Sequence, residues 1–116
     1  MTRSRAEAPN VCGVTAAIAT IDGKWKTLVL WLLEERPYRP GEMRRQVPGL
    51  TEKVLTQTLR EMEDDGLVRR EIHDMRPLKT VYSLTAFGRD LCEALEPVSR
   101  WGYRRLEKLT EAQQAS

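Results

Sequence analysis

The sequence predicts a mainly α-helical domain carrying one small β-hairpin. Three observations predict it. Apolar residues recur with helical spacing in several segments separated by Gly and Pro. The stretch from Gly41 to Asp65 reads as helix, tight turn, helix, with Pro48-Gly49 as the turn. Two short strand candidates, Val68 to Ile72 and Thr80 to Leu84, flank a polar tip that contains proline.

Size and composition agree with one such domain. The chain has 116 residues, 41% hydrophobic and 31% charged, which suits a single folded core. Residues 1–10 read as a polar, flexible N-terminal arm, 11–110 as the folded unit and 111–116 as a flexible tail. Val14, Ala17, Ile18 and Ile21 form the stripe of a short amphipathic helix that Asp22-Gly23 ends. A second helix runs from about Lys24 to Glu35. Its stripe is Trp25, Leu28, Val29 and Leu32, and Trp31 and Leu33 extend the apolar surface around it, as a central core helix requires. Arg36-Pro37 stops it. A brief helix covers Gly41 to Gln46. Thr51 then caps a helix that extends to Asp65 and closes on Gly66, with Leu55, Leu59 and Met62 buried. In the second strand, Thr80, Tyr82 and Leu84 alternate as one buried face. Thr85 caps a last helix bearing Phe87, Leu91, Leu95 and Val98. Pro97 is expected to kink or split it before Trp101, Leu106 and Leu109 continue the pattern.

Several function classes lose their support at this stage. Two cysteines and one histidine fall short of the four Cys/His ligands of a structural zinc site. A Ser-His-Asp or Cys-His device would need His73, in a turn-like stretch. No GxGxxG or P-loop occurs. Nothing calls for an enzyme, a metal or a cofactor. The longest apolar run, Leu28 to Leu33, is too short to span a bilayer, and the first ten residues do not resemble a signal peptide. A cytoplasmic protein with no membrane partner is the expectation.

The helix from Thr51 carries a second stripe opposite the apolar one. Lys53, Thr56, Gln57 and Arg60 recur at i, i+3, i+4 and i+7, and all four can donate hydrogen bonds. Base edges in the major groove of DNA offer acceptors on guanine, a donor–acceptor pair on adenine and a methyl group on thymine, which suit Arg, Gln and Thr. A solvated helix face is the plain alternative. Two features weigh against it. From Arg36 to Arg60 there are six Lys/Arg and two acids, whereas Glu61, Glu63, Asp64 and Asp65 crowd the far end of the helix. Acids at a helix C-terminus oppose its dipole, so local stability does not explain them. The hairpin adds Arg69, Arg70, Arg76 and Lys79. Thr51, Arg44, Lys24, Arg76 and Lys79 are candidates for backbone or wing contacts. With a net charge of only +2, a protein-docking winged helix stays as the rival reading.

These residues also carry a family likeness. Cys12 to Gly102 resembles the HxlR-type group of MarR-like winged-helix transcriptional regulators. The likeness rests on Asp22-Gly23-Lys24-Trp25-Lys26, on Thr51 to Val68 throughout, on Tyr82-Ser83-Leu84-Thr85 with Gly88, and on Trp101-Gly102. It implies a winged helix-turn-helix homodimer that represses or activates transcription from a palindromic operator. The helix from Thr51 to Asp65 would enter the major groove, and the wing, about Arg69 to Leu84, an adjacent groove. The chain departs from the pattern at Gly13, where proline is usual, at Pro40-Gly41, where an aromatic and a capping serine are common, and at the wing tip, which keeps one proline of a pair.

Cys12 stands where some members of the group have a thiol that senses oxidants or electrophiles. A thiol at a helix N-terminus ionises more easily. The other reading is an unreactive cysteine at the dimer interface. Cys92 reads as inert on a partly buried helix face. Trp25, Trp31 and Trp101 read as core and dimer packing rather than a ligand cage. The first and last helices carry more apolar surface than one small core needs, so Val14, Ile18, Val98, Trp101, Leu106 and Leu109 are expected to form a twofold interface.

Overall fold

The computed structural model describes residues 12–75 and 78–115. The expected N-terminal arm and the wing-tip residue Arg76 lie outside them. The order is α1 (Gly13–Ile21), α2 (Lys26–Glu35), α3 (Pro40–Gln46), α4 (Glu52–Asp64), β1 (Val68–Met75), β2 (Leu78–Leu84) and α5 (Ala86–Ala115). The predicted class, mainly α with one hairpin and a helix–turn–helix before it, is the fold observed. None of the helices among the described residues is long and apolar enough to cross a membrane.

The core gathers on α2. Val29, Leu30, Leu32 and Leu33 are buried, against Leu55, Leu59 and Met62 of α4, Met43 of α3, and Leu67, Val68 and Leu84 of the hairpin. The stripe predicted for α2 is therefore rotated. Leu28 is exposed, and Trp31 is 68% exposed. An apolar residue occurs on almost every side of α2, so periodicity does not single out its inner face; the neighbouring elements do. Trp25 packs against the core from the edge, with its ring against Gly49 in the α3–α4 turn. Trp31 and Trp101 lie on the surface of the chain.

Two joints hold α4 and the hairpin together. At the end of α4, Gly66 takes φ +76°, and its N–H bonds the Glu63 carbonyl at 3.0 Å. The Leu67 N–H bonds the Met62 carbonyl at 2.9 Å. This pair of bonds is a Schellman closure, sealed by the buried Met62 and Leu67 side chains. Thr85 then caps α5, its Oγ1 accepting from the Gly88 N–H at 3.0 Å, while the Thr85 N–H bonds the Leu67 carbonyl. At the other joint, the loop after α2 pairs with the hairpin. Tyr38 and Tyr82 exchange backbone bonds of 3.0 and 2.9 Å, and the buried Tyr38 donates its hydroxyl to Glu35 Oε1 at 2.6 Å.

The strands are longer than predicted. Pairing runs from Val68↔Leu84 to Met75↔Leu78, with an irregularity between Ile72 and Asp74. His73, expected in a turn, belongs to β1. The reason is that the ladder is made by backbone groups, which continue pairing after the apolar pattern has ended.

Helix α5 is continuous through Pro97, not split. Glu93 and Pro97 are both exposed, so the carbonyl that proline cannot satisfy lies on a solvated face. The helix also takes in residues 111–115, expected as tail. Only its first part packs on α2 and β2, through Gly88, Leu91, Cys92 and Leu95. The rest projects. The radius of gyration is 16.6 Å, against about 13 Å for a compact chain of this length.

Gly88 marks where α5 crosses the α4–β1 joint. A Cβ there would strike the Leu67 carbonyl oxygen, a backbone atom that cannot swing aside. Gly88→Ala is therefore expected to lower the unfolding free energy by about 1–3 kcal/mol, as overpacking does. Urea unfolding at fixed protein concentration measures it; a change of a few tenths would contradict this packing.

Candidate nucleic-acid interface

Helix α4 has a sharp division of labour. Leu55, Thr58, Leu59 and Met62 are buried. With that face committed, Lys53, Thr56, Gln57 and Arg60 must point outward, and all four are exposed. Thr58 was missed by the apolar stripe, although it lies between Leu55 and Met62 on the same side. Thr51 caps the helix, its Oγ1 accepting from the Val54 N–H at 3.2 Å. Its hydroxyl proton remains available to an acceptor at the helix start.

The short helix before it solves its own capping problem. Pro40 occupies the first turn, where its missing N–H costs nothing. Glu42 Oε1 accepts from the Arg39 N–H at 2.8 Å. That bond, followed by the charges of Arg36 and Arg39, holds the Glu42 carboxyl below the usual range. A serine cap is thus unnecessary. Arg44 and Arg45 are exposed on this helix.

Two lysines at the start of α2 take different roles. Lys24 sits over the Trp25 ring, 4.8 Å from its centroid, which places its charge beside the α3–α4 turn. Lys26 instead reaches α4, where its Nζ lies 3.0 Å from Glu61 Oε1. The other oxygen of Glu61 accepts from Gln57 Nε2 at 2.8 Å. So Glu61, grouped in the sequence with the acids beyond the polar face, is bound to a residue of that face. The i, i+4 spacing of Gln57 and Glu61 could have signalled the first bond. The Lys26 contact is tertiary and leaves no local trace.

The hairpin brings further positive charge. Arg69 and Arg70 are exposed on β1, and Lys79 is half-buried on β2. Arg69 Nε donates to Ser83 Oγ at 3.3 Å and lies 3.9 Å from Glu71, a surface pairing of little energetic weight. Burial pushes the Tyr82 hydroxyl up and the charge of Glu63 adds to the rise, while the charges of Arg70 and Arg60 partly oppose it.

Away from this face, apolar side chains remain uncovered within the chain. Val14 and Ile18 on α1, and Val98, Trp101, Leu106 and Leu109 on α5, are all exposed. On α5 they continue the line of Phe87, itself 63% exposed. Together they make a stripe about 140° wide, as broad as the buried face of an ordinary amphipathic helix. Phe87 was not among the residues assigned to an interface from sequence.

The cysteines differ as expected. Cys12 is exposed at the N-cap of α1. The backbone N–H groups of Thr15 and Val14 hold its thiol below the ordinary value. Cys92 is buried, and burial, with a smaller contribution from Glu34, pushes its thiol up.

Residues 20–110 match the family model described as HxlR-like helix-turn-helix. The HTH-type transcriptional regulator YkvN of Bacillus subtilis strain 168 is 43% identical over 91 residues, 78% of this chain and 77% of its own. The crystal structure of a MarR-family transcriptional regulator from Enterococcus faecalis V583 superposes with a TM-score of 0.75 at 38% identity, covering 96% of each chain. The redox regulator HypR in its reduced form superposes with a TM-score of 0.79 at 36% identity, covering 86% of this chain and 99% of that one.

A lowered pKa at an exposed thiol means more thiolate at neutral pH. The rate of Cys12 alkylation by iodoacetamide should rise with a midpoint below that of an unperturbed thiol. Cys92 should react only once the chain is unfolded. Mass spectrometry of the native protein across a pH series checks both; a Cys12 midpoint at or above the unperturbed value contradicts the first.

Proposed function

The chain belongs to the HxlR-like helix-turn-helix family and is a transcriptional regulator of that type, and on this premise we propose that it acts as a homodimer on a palindromic DNA operator. The observation that carries the proposal is the outward row of Lys53, Thr56, Gln57 and Arg60 on a helix whose opposite face is fully committed to the core. In this reading α4 lies in the major groove. Arg60 suits guanine, Gln57 suits adenine, and the Thr56 methyl suits thymine. Thr51, Arg44 and Lys24 hold the phosphates beside the helix start. The wing, with Lys79 and Arg76, reaches the neighbouring backbone.

Dimerisation supplies what one α4 cannot. Four side chains read too few base pairs for a unique site, and a second copy one helical turn away adds register and affinity. Val14, Ile18, Val98, Trp101, Leu106 and Leu109 offer the surface for it, with Phe87 beside them. The exposed, easily ionised Cys12 lies at the start of α1, the helix that carries Val14 and Ile18. A thiol reaction there would alter the packing of α1 and so the spacing of the two α4 helices. The likeness to a redox regulator supports this thiol-responsive reading.

Two experiments test the proposal. Duplexes selected from a random library give the preferred site. Gln57→Ala should then flatten the preference at one base pair by about 1–3 kcal/mol. Arg44→Ala should weaken all sequences alike and reduce the salt slope by about one unit. If both variants bind as the parent does, α4 is not the reading element; if the parent selects no sequence, the protein-docking alternative takes its place. In sedimentation equilibrium, the parent should be dimeric and Trp101→Glu largely monomeric, with a corresponding loss of operator affinity. A monomeric parent would contradict the twofold interface.

A further inference from the structure

We propose that Glu61, anchored by Lys26, is a positioning residue that sets the orientation of the Gln57 carboxamide and so makes Gln57 selective for adenine. The inference rests on the reading that α4 enters the major groove.

A glutamine on an exposed helix face is ordinarily an ambiguous reader. Its amide has one acceptor oxygen and two N–H donors, and rotation exchanges the two ends. Presented one way, it can give both donors to guanine, whose groove edge carries two acceptors. Presented the other way, it offers an oxygen and an N–H to adenine, whose edge carries a donor and an acceptor. Freedom to turn therefore weakens discrimination between the two purines.

Here that freedom is restricted. Gln57 Nε2 donates to Glu61 Oε2 at 2.8 Å, which consumes one N–H. What remains is one N–H and the amide oxygen, the complement of adenine. Guanine can receive only one bond from this arrangement. The reversed amide would set an oxygen against a carboxylate, two acceptors with no proton between them.

For this to hold, Glu61 must stay ionised and must not swing away. Both conditions are met. Its second oxygen, Oε1, is held by Lys26 Nζ at 3.0 Å. The Lys26 side chain is only 15% exposed, so its charge is fixed in place rather than swinging in solvent. The bonds from Gln57 and Lys26 keep the Glu61 carboxyl below the usual range. Each carboxylate oxygen thus has one donor, from a different helix in each case. The lysine also offsets a negative charge that would otherwise sit beside a phosphate backbone. An i, i+4 Gln–Glu pair alone adds little to helix stability, which makes an acid on this face hard to explain by local structure. The last residue of the Asp22-Gly23-Lys24-Trp25-Lys26 segment acquires a role in this way, in support of α4 rather than in contact with DNA.

The test uses the full chain and the duplex that the parent selects from a random library. Binding is measured by fluorescence anisotropy on that duplex and on variants changed at each base pair. The parent should prefer adenine over guanine by about tenfold at the pair where Gln57→Ala loses its preference. Glu61→Ala should bring the ratio close to one at that same pair and leave the others unchanged. Adding Glu61→Ala to Gln57→Ala should change nothing further there. A merely structural role would weaken binding at every pair alike. Since Glu61→Ala also cuts the tie between α2 and α4, a second variant combines Lys26→Glu with Glu61→Lys. It restores an ion pair but offers Gln57 no acceptor, and it should melt like the parent while still losing the adenine preference. Retention of that preference in either variant, or uniform weakening in both, overturns the proposal. A parent that selects no sequence overturns the DNA reading first, before Glu61 enters.

Discussion

The orientation of α4 about its own axis is the constraint on which the rest of the structure depends. Leu55, Thr58, Leu59 and Met62 occupy one side of the helix, and the core accepts that side only. Rotating α4 to hide a lysine or an arginine would expose buried leucines and strand a charge in the interior, a cost of several kcal/mol. Hydrophobic burial thus aims the polar row without any contact to the polar row itself. The end caps fix the remaining freedom, since Thr51 defines where the helix begins and the Gly66 closure where it stops. A helix held in rotation and in extent presents its side chains at fixed positions, as base readout requires.

The wing is tied to the same frame. The Tyr38–Tyr82 pairing makes the loop after α2 a short third partner of the hairpin. The Schellman closure passes directly from α4 into β1, and α5 locks that passage by crossing it at Gly88. Three elements therefore converge on Leu67: α4 through its last turn, the hairpin through its first residue, and α5 through its cap. The basic hairpin and the α4 face are thereby held in a fixed relation. The low net charge of the chain does not oppose this. Between Arg36 and Arg60 six Lys/Arg stand against two acids, whereas four acids crowd the end of α4 and its exit.

How much of this could be read from sequence depended on where the deciding interactions lie. α4 was legible because it is strongly amphipathic and carries local signals at both ends, Thr51 and Gly66. α2 was not legible in its facing, because its apolar residues surround it and only its neighbours choose among them. The strands ran past their predicted ends because backbone pairing continues without an apolar pattern. Pro97 does not split α5, because the carbonyl it leaves unbonded, that of Glu93, lies on a solvated face. Within the candidate interface, the outward row was visible from periodicity alone. Glu61 was misplaced among surplus acids, since the lysine that explains it lies far away in the sequence and meets it only in the folded chain.

The same reasoning separates the two surfaces of the molecule. One presents donors and positive charge on helices whose apolar side is already satisfied. The other, along α1 and α5, presents apolar residues whose partners are not found within the described chain. Large apolar stripes left in water are unfavourable in proportion to their area and are rare on soluble monomers. A 30-residue helix that packs over only its first part is hard to justify by the stability of one copy. Its projecting part makes sense as a surface shared by two copies. The separation between the two α4 rows of the proposed homodimer would then be set by α1 and α5, and a change at the start of α1 would act on DNA readout through geometry rather than through any direct contact.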